Sequence, residues 1–220
     1  MSNLSFAEEN YIKHIYHIQQ QDGCVTTNGL AFSLRAKPAS ITDMLKKLKS
    51  KKLVNYEPYK EFQLSIHGKK MALEIIRRHR LWEFFLVDKL QFGWDEVHEI
   101  AEELEHVSSK KLIEKLDNFL NHPQFDPHGD PIPDSNGRIR QQQQVRLIEF
   151  DFNKPAQVTS VSGQSVELLE MLRLKNIKIG TQLEVKRKFE FDKSVEIKIK
   201  NQSVVTISEQ LAKALFVKQV

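Results

Sequence analysis

Apolar residues recur at helical spacing through the first third of the chain, and this pattern predicts three helices before a hairpin. The first helix covers residues 6–20 and ends at the polar stretch "QQQDG". A second short helix is predicted over "TTNGLAFSL". A third is predicted over "AKPASITDMLKKLKSKKLV", where Pro38 fits the first helical position. Two extended runs around Glu57-Pro58 then predict a hairpin. Helix, helix, turn, basic helix and hairpin is the order of a winged helix-turn-helix.

The remainder of the chain divides into a helical part and a β-rich part. Residues 68–91 predict one long helix, and residues 95–107 and 109–120 predict two more. A Pro- and Gly-rich loop, "HPQFDPHGDPIPDSNG", and a polar linker, "RIRQQQQVR", follow. From about Leu147, short β-like runs around one helix, "SVELLEMLRL", are typical of a small β-barrel. The predicted fold class is therefore mainly α with a small β domain.

Charge is unevenly distributed, although the net charge is only +4. Residues 35–52 contain seven basic residues and one acid, Asp43. Residues 95–106 contain six acids and no Lys or Arg. A basic segment and an acidic, histidine-bearing segment indicate two binding functions with different partners.

Composition argues against a membrane-spanning protein and against a secreted one. Hydrophobic residues make up 40% and charged residues 28% of the chain, and its apolar runs are too short to span a bilayer. The N-terminus has no secretory pattern, and the single cysteine, Cys24, cannot form an internal disulfide. These features predict a cytoplasmic protein without a membrane partner.

The basic third helix has the pattern of a DNA recognition helix. Ile41, Met44, Leu45 and Leu48 form its inward stripe. Its first turns would read base edges in the major groove, while flanking lysines and the hairpin tip would contact phosphates. The alternative is an ordinary solvated lysine-rich helix. The residues predicted to bind DNA are Lys37, Pro38, Ala39, Ser40, Thr42, Asp43, Lys46, Lys47, Tyr59 and Lys60.

The stretch "VHEIAEELEHV" places carboxylates and imidazoles on one side of a helix. Glu102, Glu105 and His106 give a compact three-ligand face for a divalent ion. His79 and Glu83 form a second pair one turn apart on the preceding helix, and His98 could join them if the helices pack antiparallel. The alternative is an acidic solvated helix with two incidental histidines. The spacing does not match H-E-x-x-H, and no cysteine-rich zinc site is available.

Over nearly its whole length the chain resembles the diphtheria toxin repressor family of metal-dependent transcriptional regulators. The motifs that carry the resemblance are "ENYIKHIY", "AKPASITDMLKKLKSKKLV", "RRHRLWEFFLVDKL", "VHEIAEELEHV" and "DPHGDPIP", in this order. The C-terminal third resembles the SH3-like domain of the longer members. The implied domains are a winged helix-turn-helix (residues 1–70), a helical metal-binding and dimerisation domain (71–136), a linker (137–146) and an SH3-like domain (147–220).

The resemblance implies a homodimer with two metal sites. The primary site would use Asn10, Glu102, Glu105 and His106. The ancillary site would use His79, Glu83 and His98, with help from the C-terminal domain, where Glu167 and Glu170 are candidates. Some manganese-responsive members build their second site partly from the loop, which here offers Asp126 and His128.

Two positions on the first helix depart from the family pattern. Asn10 replaces the methionine of the diphtheria-repressor branch and the usual aspartate of the manganese-responsive branch. It offers only a neutral amide oxygen, so Glu8 or Glu9 is an alternative ligand. Lys13 replaces the glutamate of the manganese-responsive branch, so a bridged metal pair supported by that glutamate is not expected. Glu102 matches the manganese-responsive branch, because the other branch has a cysteine there.

The predicted function is metal-dependent transcriptional regulation, not catalysis, with repression of metal uptake genes as the family role. An oxygen-rich primary set with one imidazole and no sulfur favours Mn²⁺ or Fe²⁺, although other divalent metals could substitute in vitro. Double-stranded DNA and a second copy of the chain are the expected partners, without a small-molecule substrate. Two alternatives stay open at this point: a metal-independent winged-helix dimer with another effector, and a helical-bundle metalloenzyme.

Overall fold

The computed structural model describes residues 4–107, 109–200 and 202–220. The N-terminal elements are α1 Phe6–Asp22, α2 Thr27–Ser33, α3 Pro38–Ser50, β1 Val54–Asn55 and β2 Gln63–Leu64. The middle helices are α4 Ile66–Asp88, α5 Val97–Val107 and α6 Lys110–Phe119. The C-terminal elements are β3 Val145–Arg146, a 3₁₀ turn Leu147–Glu149, β4 Pro155–Val161, α7 Val166–Leu174, β5 Gln182–Lys188, β6 Val195–Ile199, β7 Val204–Ile207, α8 Glu209–Ala214 and β8 Leu215–Gln219.

Both ends of α1 are defined by local sequence. The Ser5 side chain accepts a hydrogen bond from the Glu8 backbone N–H, and the Glu8 carboxylate accepts one from the Ser5 N–H, which makes a capping box. At the other end Gly23 has a φ of 81°, a conformation that favours glycine. Residues at and next to its ends therefore determine where α1 begins and ends.

The predicted winged helix-turn-helix is confirmed. Ile41, Leu45 and Leu48 of α3 are fully buried. The strands β1 and β2 pair antiparallel with Val54 opposite Leu64, which makes the wing. Burying one stripe of α3 leaves the opposite face of this basic helix in solvent.

Helix α4 begins two residues earlier than the sequence pattern predicts. Gly68 does not precede the helix but lies inside its first turn. A Cβ there would lie 2.0 Å from the carbonyl oxygen of Leu53, so this residue must be glycine for the helix to pass that backbone. Gly68, which the sequence pattern suggests as a helix boundary, is instead the point where α4 packs directly against the backbone of Leu53.

The C-terminal part is a six-stranded antiparallel sheet with the strand order β3-β8-β4-β5-β6-β7. Its core is apolar and includes Val158, Leu169, Val185, Ile197 and Val217. The sequence pattern predicts one helix here, whereas the structure has two, α7 and α8. Helix α8 has only six residues, too few to produce a clear helical period.

The chain separates into two compact units. The first consists of Met1–His79, Leu104–Ser109 and Pro133–Arg138, and the second consists of Arg80–Glu103, Lys110–Ile132 and Ile139–Val220. The first unit thus contains the whole winged helix-turn-helix together with the last turn of α5. No helix within the described residues is long and apolar enough to cross a membrane.

Candidate metal centres and DNA-binding surface

The outward face of α3 and the wing present the residues that the sequence predicts for DNA. Lys37, Ser40, Asp43, Lys46 and Lys47 are exposed, and Thr42 is half-buried. At the tip of the wing Tyr59 is fully exposed with a φ of 64°. Lys60 makes an exposed ion pair with Glu57 at 2.7 Å, an arrangement that a phosphate could replace.

A buried cluster of charged and imidazole groups joins α1 to the last turn of α5, and we call it the α1–α5 pocket. At its centre is Glu105, whose side chain has no solvent exposure. Its Oε1 lies 2.7 Å from Lys13 Nζ, and its Oε2 lies 2.7 Å from His79 Nδ1. Burial alone would raise the pKa of Glu105, but the hydrogen bond from His79 and the charge of Lys13 outweigh it and hold the pKa below its usual value.

His106 is the imidazole of this pocket. Its Nδ1 lies 2.7 Å from Glu9 Oε2, and Arg78 donates to the other Glu9 oxygen at 2.8 Å. Because a carboxylate accepts at Nδ1, that nitrogen carries a hydrogen, and in the neutral ring Nε2 is then the nitrogen with the lone pair. Nε2 is buried, lies 3.5 Å from Glu105 Oε1, and has no hydrogen-bond partner among the described residues. The ring of Phe6 stacks on the imidazole at 4.9 Å. This is the usual arrangement of a metal-binding histidine oriented by a carboxylate.

The other two residues predicted for the primary site have different surroundings. Asn10 has a buried side-chain oxygen with no hydrogen-bond partner in the described part of the chain. Glu102 is half-buried, and its Oε1 lies 3.7 Å from His98 Nε2. Glu9, an alternative ligand by sequence, orients His106, whereas Glu8 pairs with Lys51.

A second cluster lies in the other unit and is formed by Glu83, Asp126 and His128, which we call the loop cluster. All three residues are buried, and each offers a ligand atom within 4.8 Å of the others. His98 Nδ1 lies 3.2 Å from Glu83 Oε1, and His79 is placed one turn before Glu83 on α4. The sequence predicts two separate sets of second-site candidates: His79, Glu83 and His98 on the helices, and Asp126 and His128 in the loop. In the structure Glu83 of α4 lies beside both loop residues, so the two sets meet at Glu83.

Burial and neighbouring charges both shift the pKa values of Asp126 and His128 in the loop cluster. Burial, together with the carboxylates of Glu83 and Asp130, raises the pKa of Asp126 to about 7, although Arg80 and His128 act in the opposite direction. Burial would lower the pKa of His128, but the contact with Glu83 and the charge of Asp126 outweigh it and raise the pKa.

The loop is held by contacts that the sequence does not reveal. Arg80 reaches Asp126 and Asp130 at 3.4 and 3.3 Å and donates to the Pro131 carbonyl at 2.6 Å. His128 Nε2 lies 2.7 Å from the carbonyl oxygen of Trp94. That carbonyl can only accept, so Nδ1 of the neutral ring keeps its lone pair.

The C-terminal domain contributes Gln164 to this cluster. Its amide nitrogen lies 3.2 Å from His128 Nδ1. Glu167 and Glu170, the carboxylates that the sequence suggests, are exposed on α7, and neither belongs to a candidate ligand group found among the described residues. Gln164 has no charge and belongs to no motif, so no sequence signal identifies it.

These donors fit a first-row divalent ion. The α1–α5 pocket offers the imidazole of His106 and the carboxylate oxygens of Glu9 and Glu105. Asn10, also on α1, has a buried amide oxygen with no donor among the described residues. The loop cluster offers two carboxylates and an imidazole. Oxygen and imidazole donors without thiolate suit Mn²⁺ and Fe²⁺.

Comparison with known proteins agrees with this chemistry. Residues 3–62 match "Iron dependent repressor, N-terminal DNA binding domain". Residues 66–134 match "Iron dependent repressor, metal binding and dimerisation domain", and residues 145–219 match the FeoA domain.

Individual relatives extend the match over the whole chain. The iron-dependent repressor IdeR of Mycobacterium leprae is 26% identical over an aligned length of 232 that covers the whole of both chains. The HTH-type transcriptional regulator MJ0568 of Methanocaldococcus jannaschii is 35% identical over 118 residues, which are 53% of this chain and 94% of that protein. A solved structure described as a manganese-dependent transcriptional repressor in complex with manganese is 31% identical and has a TM-score of 0.87. The match covers 97% of this chain and 100% of that one.

A winged helix-turn-helix, a helical domain with buried metal-type donors and a FeoA domain define a metal-dependent transcriptional regulator. This combination separates the protein from winged-helix regulators without metal donors. The chain belongs to the iron-dependent repressor family, which includes the diphtheria toxin repressor. The family and fold class that the sequence motifs predict are confirmed.

Proposed function

We propose that this protein is a homodimeric repressor that binds operator DNA when it is loaded with Mn²⁺ or Fe²⁺. The observation that carries the proposal is the α1–α5 pocket, in which buried donors from α1 and from the last turn of α5 meet within the unit that holds the recognition helix. Relatives described as iron-dependent and manganese-dependent repressors support both metals.

For the primary site we propose four ligands: Asn10, Glu102, Glu105 and His106. His106 Nε2 and Asn10 Oδ1 support the set, since both are buried atoms without a hydrogen-bond partner in the described residues. For the second site we propose the loop cluster, with His79 and His98 beside Glu83. Glu9 would serve as a positioning residue for His106.

The proposed control of DNA binding works through α1. When bound, a divalent cation supplies positive charge that attracts donors from two helices at once. Asn10 on α1 and His106 on α5 would then hold the two helices in one relative placement, and that state becomes more populated. Typical allosteric coupling changes affinity by about 5- to 150-fold.

The DNA-binding surface follows from the exposed face of α3 and the wing. Lys37, Pro38, Ala39 and Ser40 begin the recognition helix, with Thr42 and Asp43 on its next turn, so we propose that these residues face the bases. Lys46, Lys47, Tyr59 and Lys60 would contact the backbone. In a symmetric dimer two such helices reach successive major grooves about 34 Å apart.

The test measures DNA affinity with and without metal, using a labelled duplex from upstream of the gene for this protein. Fluorescence anisotropy would be recorded with Mn²⁺, with Fe²⁺ under anaerobic conditions, and with a chelator. We expect about 5- to 150-fold tighter binding with metal. His106→Ala should lose this gain, whereas His17→Ala, which removes an exposed histidine from α1, should keep it. Equal affinity in all three conditions would instead favour a winged-helix dimer with another effector.

A further inference from the structure

Asp43 is the one acid among seven basic residues in the stretch 35–52. It lies on the recognition helix α3, two residues after the buried Ile41, which places it about 200° further around the helix. Its carboxylate therefore lies on the face opposite the buried stripe, and 76% of its side chain is exposed. Phosphates repel a carboxylate, so an acid in the middle of this DNA-facing surface is disfavoured unless it meets a hydrogen-bond donor on the DNA.

The neighbours of Asp43 leave it as the main acceptor for a base contact. The Thr42 hydroxyl donates to the Pro38 carbonyl at 3.0 Å, so its hydrogen is used within the helix. Ala39, about one turn earlier on the same face, has no polar side-chain atom. Lys46 Nζ lies 3.3 Å from the Asp43 carboxylate, and both side chains are mostly exposed. An exposed pair of this kind is weak, so the carboxylate can exchange the ammonium for another donor.

The chemistry of the base edges decides which donor fits a carboxylate. An ionised carboxylate only accepts hydrogen bonds. In the major groove guanine presents two acceptors, thymine presents an acceptor and a methyl group, and adenine presents a donor beside an acceptor. Cytosine presents its N4 amino group alone, so it is the base that offers a donor without an acceptor beside it.

We propose that Asp43 is a specificity-determining residue that accepts a hydrogen bond from the N4 amino group of a cytosine in each half-site of the operator. This inference rests on the proposed DNA-binding function and names the base that one residue reads. The lysines around Asp43 supply affinity without regard to sequence, whereas this contact restricts which duplexes are bound.

The first test identifies the preferred sequence from a random library of duplexes, so the operator need not be known in advance. The full-length protein with saturating Mn²⁺ selects duplexes, and the bound pool is sequenced. The wild type should select a cytosine at one position of each half-site. Asp43→Asn should change the preference at that position alone toward adenine, whose N6 and N7 an amide can contact together. Asp43→Ala should lose the preference at that position.

Asp151→Asn is the matched control for this selection. It changes an exposed aspartate that pairs with a lysine three residues later, Lys154, in the C-terminal domain. That pair has the same spacing and the same charges as Asp43 and Lys46. Asp151→Asn should therefore select the same sequence as the wild type.

The second test alters the DNA instead of the protein. N4-methylcytosine keeps its pairing with guanine but carries a methyl group in place of the N4 hydrogen that faces the major groove. Fluorescence anisotropy compares the selected duplex with and without this methyl group in both half-sites. The wild type should bind the methylated duplex at least about 5-fold more weakly, the effect expected of one mismatched base pair. Asp43→Ala should bind both duplexes equally.

The outcomes separate this inference from the proposed function. A wild type that binds both duplexes equally would overturn the inference, and so would an unchanged base preference in Asp43→Asn and Asp43→Ala. A change of preference at a position where the wild type selects another base would overturn the assignment to cytosine. Each of these results leaves the proposed function intact, because the wild type still selects a duplex with Mn²⁺. A wild type that selects no duplex, or that binds equally in a chelator, would overturn the proposed function itself.

Discussion

Asp126 is a carboxylic acid whose surroundings favour its protonated form. Burial and the charges of Glu83 and Asp130 raise its pKa to about 7, and Arg80 and His128 offset only part of this effect. The pKa of an aspartate in an unfolded chain is about 3.9. Between these two values the folded protein holds a proton that the unfolded chain releases.

This difference in pKa determines whether the free energy of unfolding rises or falls with pH. The contribution of Asp126 is fully present below about pH 4 and is lost as the pH rises toward about 7, because the folded state binds more protons in that window. Metal-free wild type should therefore lose stability relative to Asp126→Asn between about pH 5 and about pH 7.5. Urea unfolding at both pH values measures the difference. A gap that does not change with pH would contradict the prediction, and Asp43→Asn, which removes an exposed carboxyl, serves as the control.

At the scale of elements, the loop that carries Asp126 and His128 is fitted closely to β4. The Val161 N–H donates to the His128 carbonyl at 3.1 Å, and the register of β4 shifts between Val158 and Ser160. Gly129 has a φ of 85°, and a Cβ there would lie 1.9 Å from the Thr159 carbonyl oxygen. The FeoA domain therefore supports the loop cluster through backbone contacts that tolerate no side chain at this position.

Gly129→Ala should push the loop away from β4. Gly180→Ala is the matched control, because Gly180 also has a positive φ, 88°, but nothing lies within 4 Å of its added Cβ. We expect the control to lose about 1–2 kcal/mol through backbone strain alone. Gly129→Ala should lose a further amount of about 1–3 kcal/mol from the clash and should bind Mn²⁺ more weakly at the loop cluster. Urea unfolding and dialysis test both effects, and equal losses in the two variants would contradict the close fit.

At the scale of the whole molecule, the two candidate metal centres belong to different units. The α1–α5 pocket draws on Glu9, Lys13, Glu105 and His106 in the first unit, and the loop cluster lies in the second. His106 contacts Glu9, Glu105 and Phe6, whereas His128 contacts Trp94, Glu83 and Gln164, and groups with separate contacts contribute to stability independently. Two separate responses to metal are therefore expected from one chain.

This separation makes a prediction about additivity. At a metal concentration about 100 times the dissociation constant, each occupied site adds about 2.7 kcal/mol of stability. His106→Ala should remove one increment, His128→Ala the other, and the double variant both. Calorimetric unfolding with and without Mn²⁺ measures the increments. If either single variant removed the whole response, the sites would be coupled, not independent.

Local sequence patterns predict much of the architecture. The alternation of apolar and polar residues identifies the helices, and the spacing of Ile41, Leu45 and Leu48 alone predicts which face of α3 is buried. Glu105 and His106 are predicted as metal ligands from their place in one motif, and the structure buries both side chains. Departures arise where packing overrides local pattern, as at Gly68, where Leu53 from a distant turn determines the residue type.

The sequence by itself determined the order of domains, the family and the chemical type of the donors, because helical periodicity and capping act over a few residues. Only the tertiary structure decided which groups meet. Glu9 orients His106 across 97 residues, Lys13 neutralises Glu105 across 92, and Gln164 reaches His128 from another domain. Such pairs depend on how whole helices and strands pack, and their distances are fixed by the shape of buried cores that no local pattern encodes.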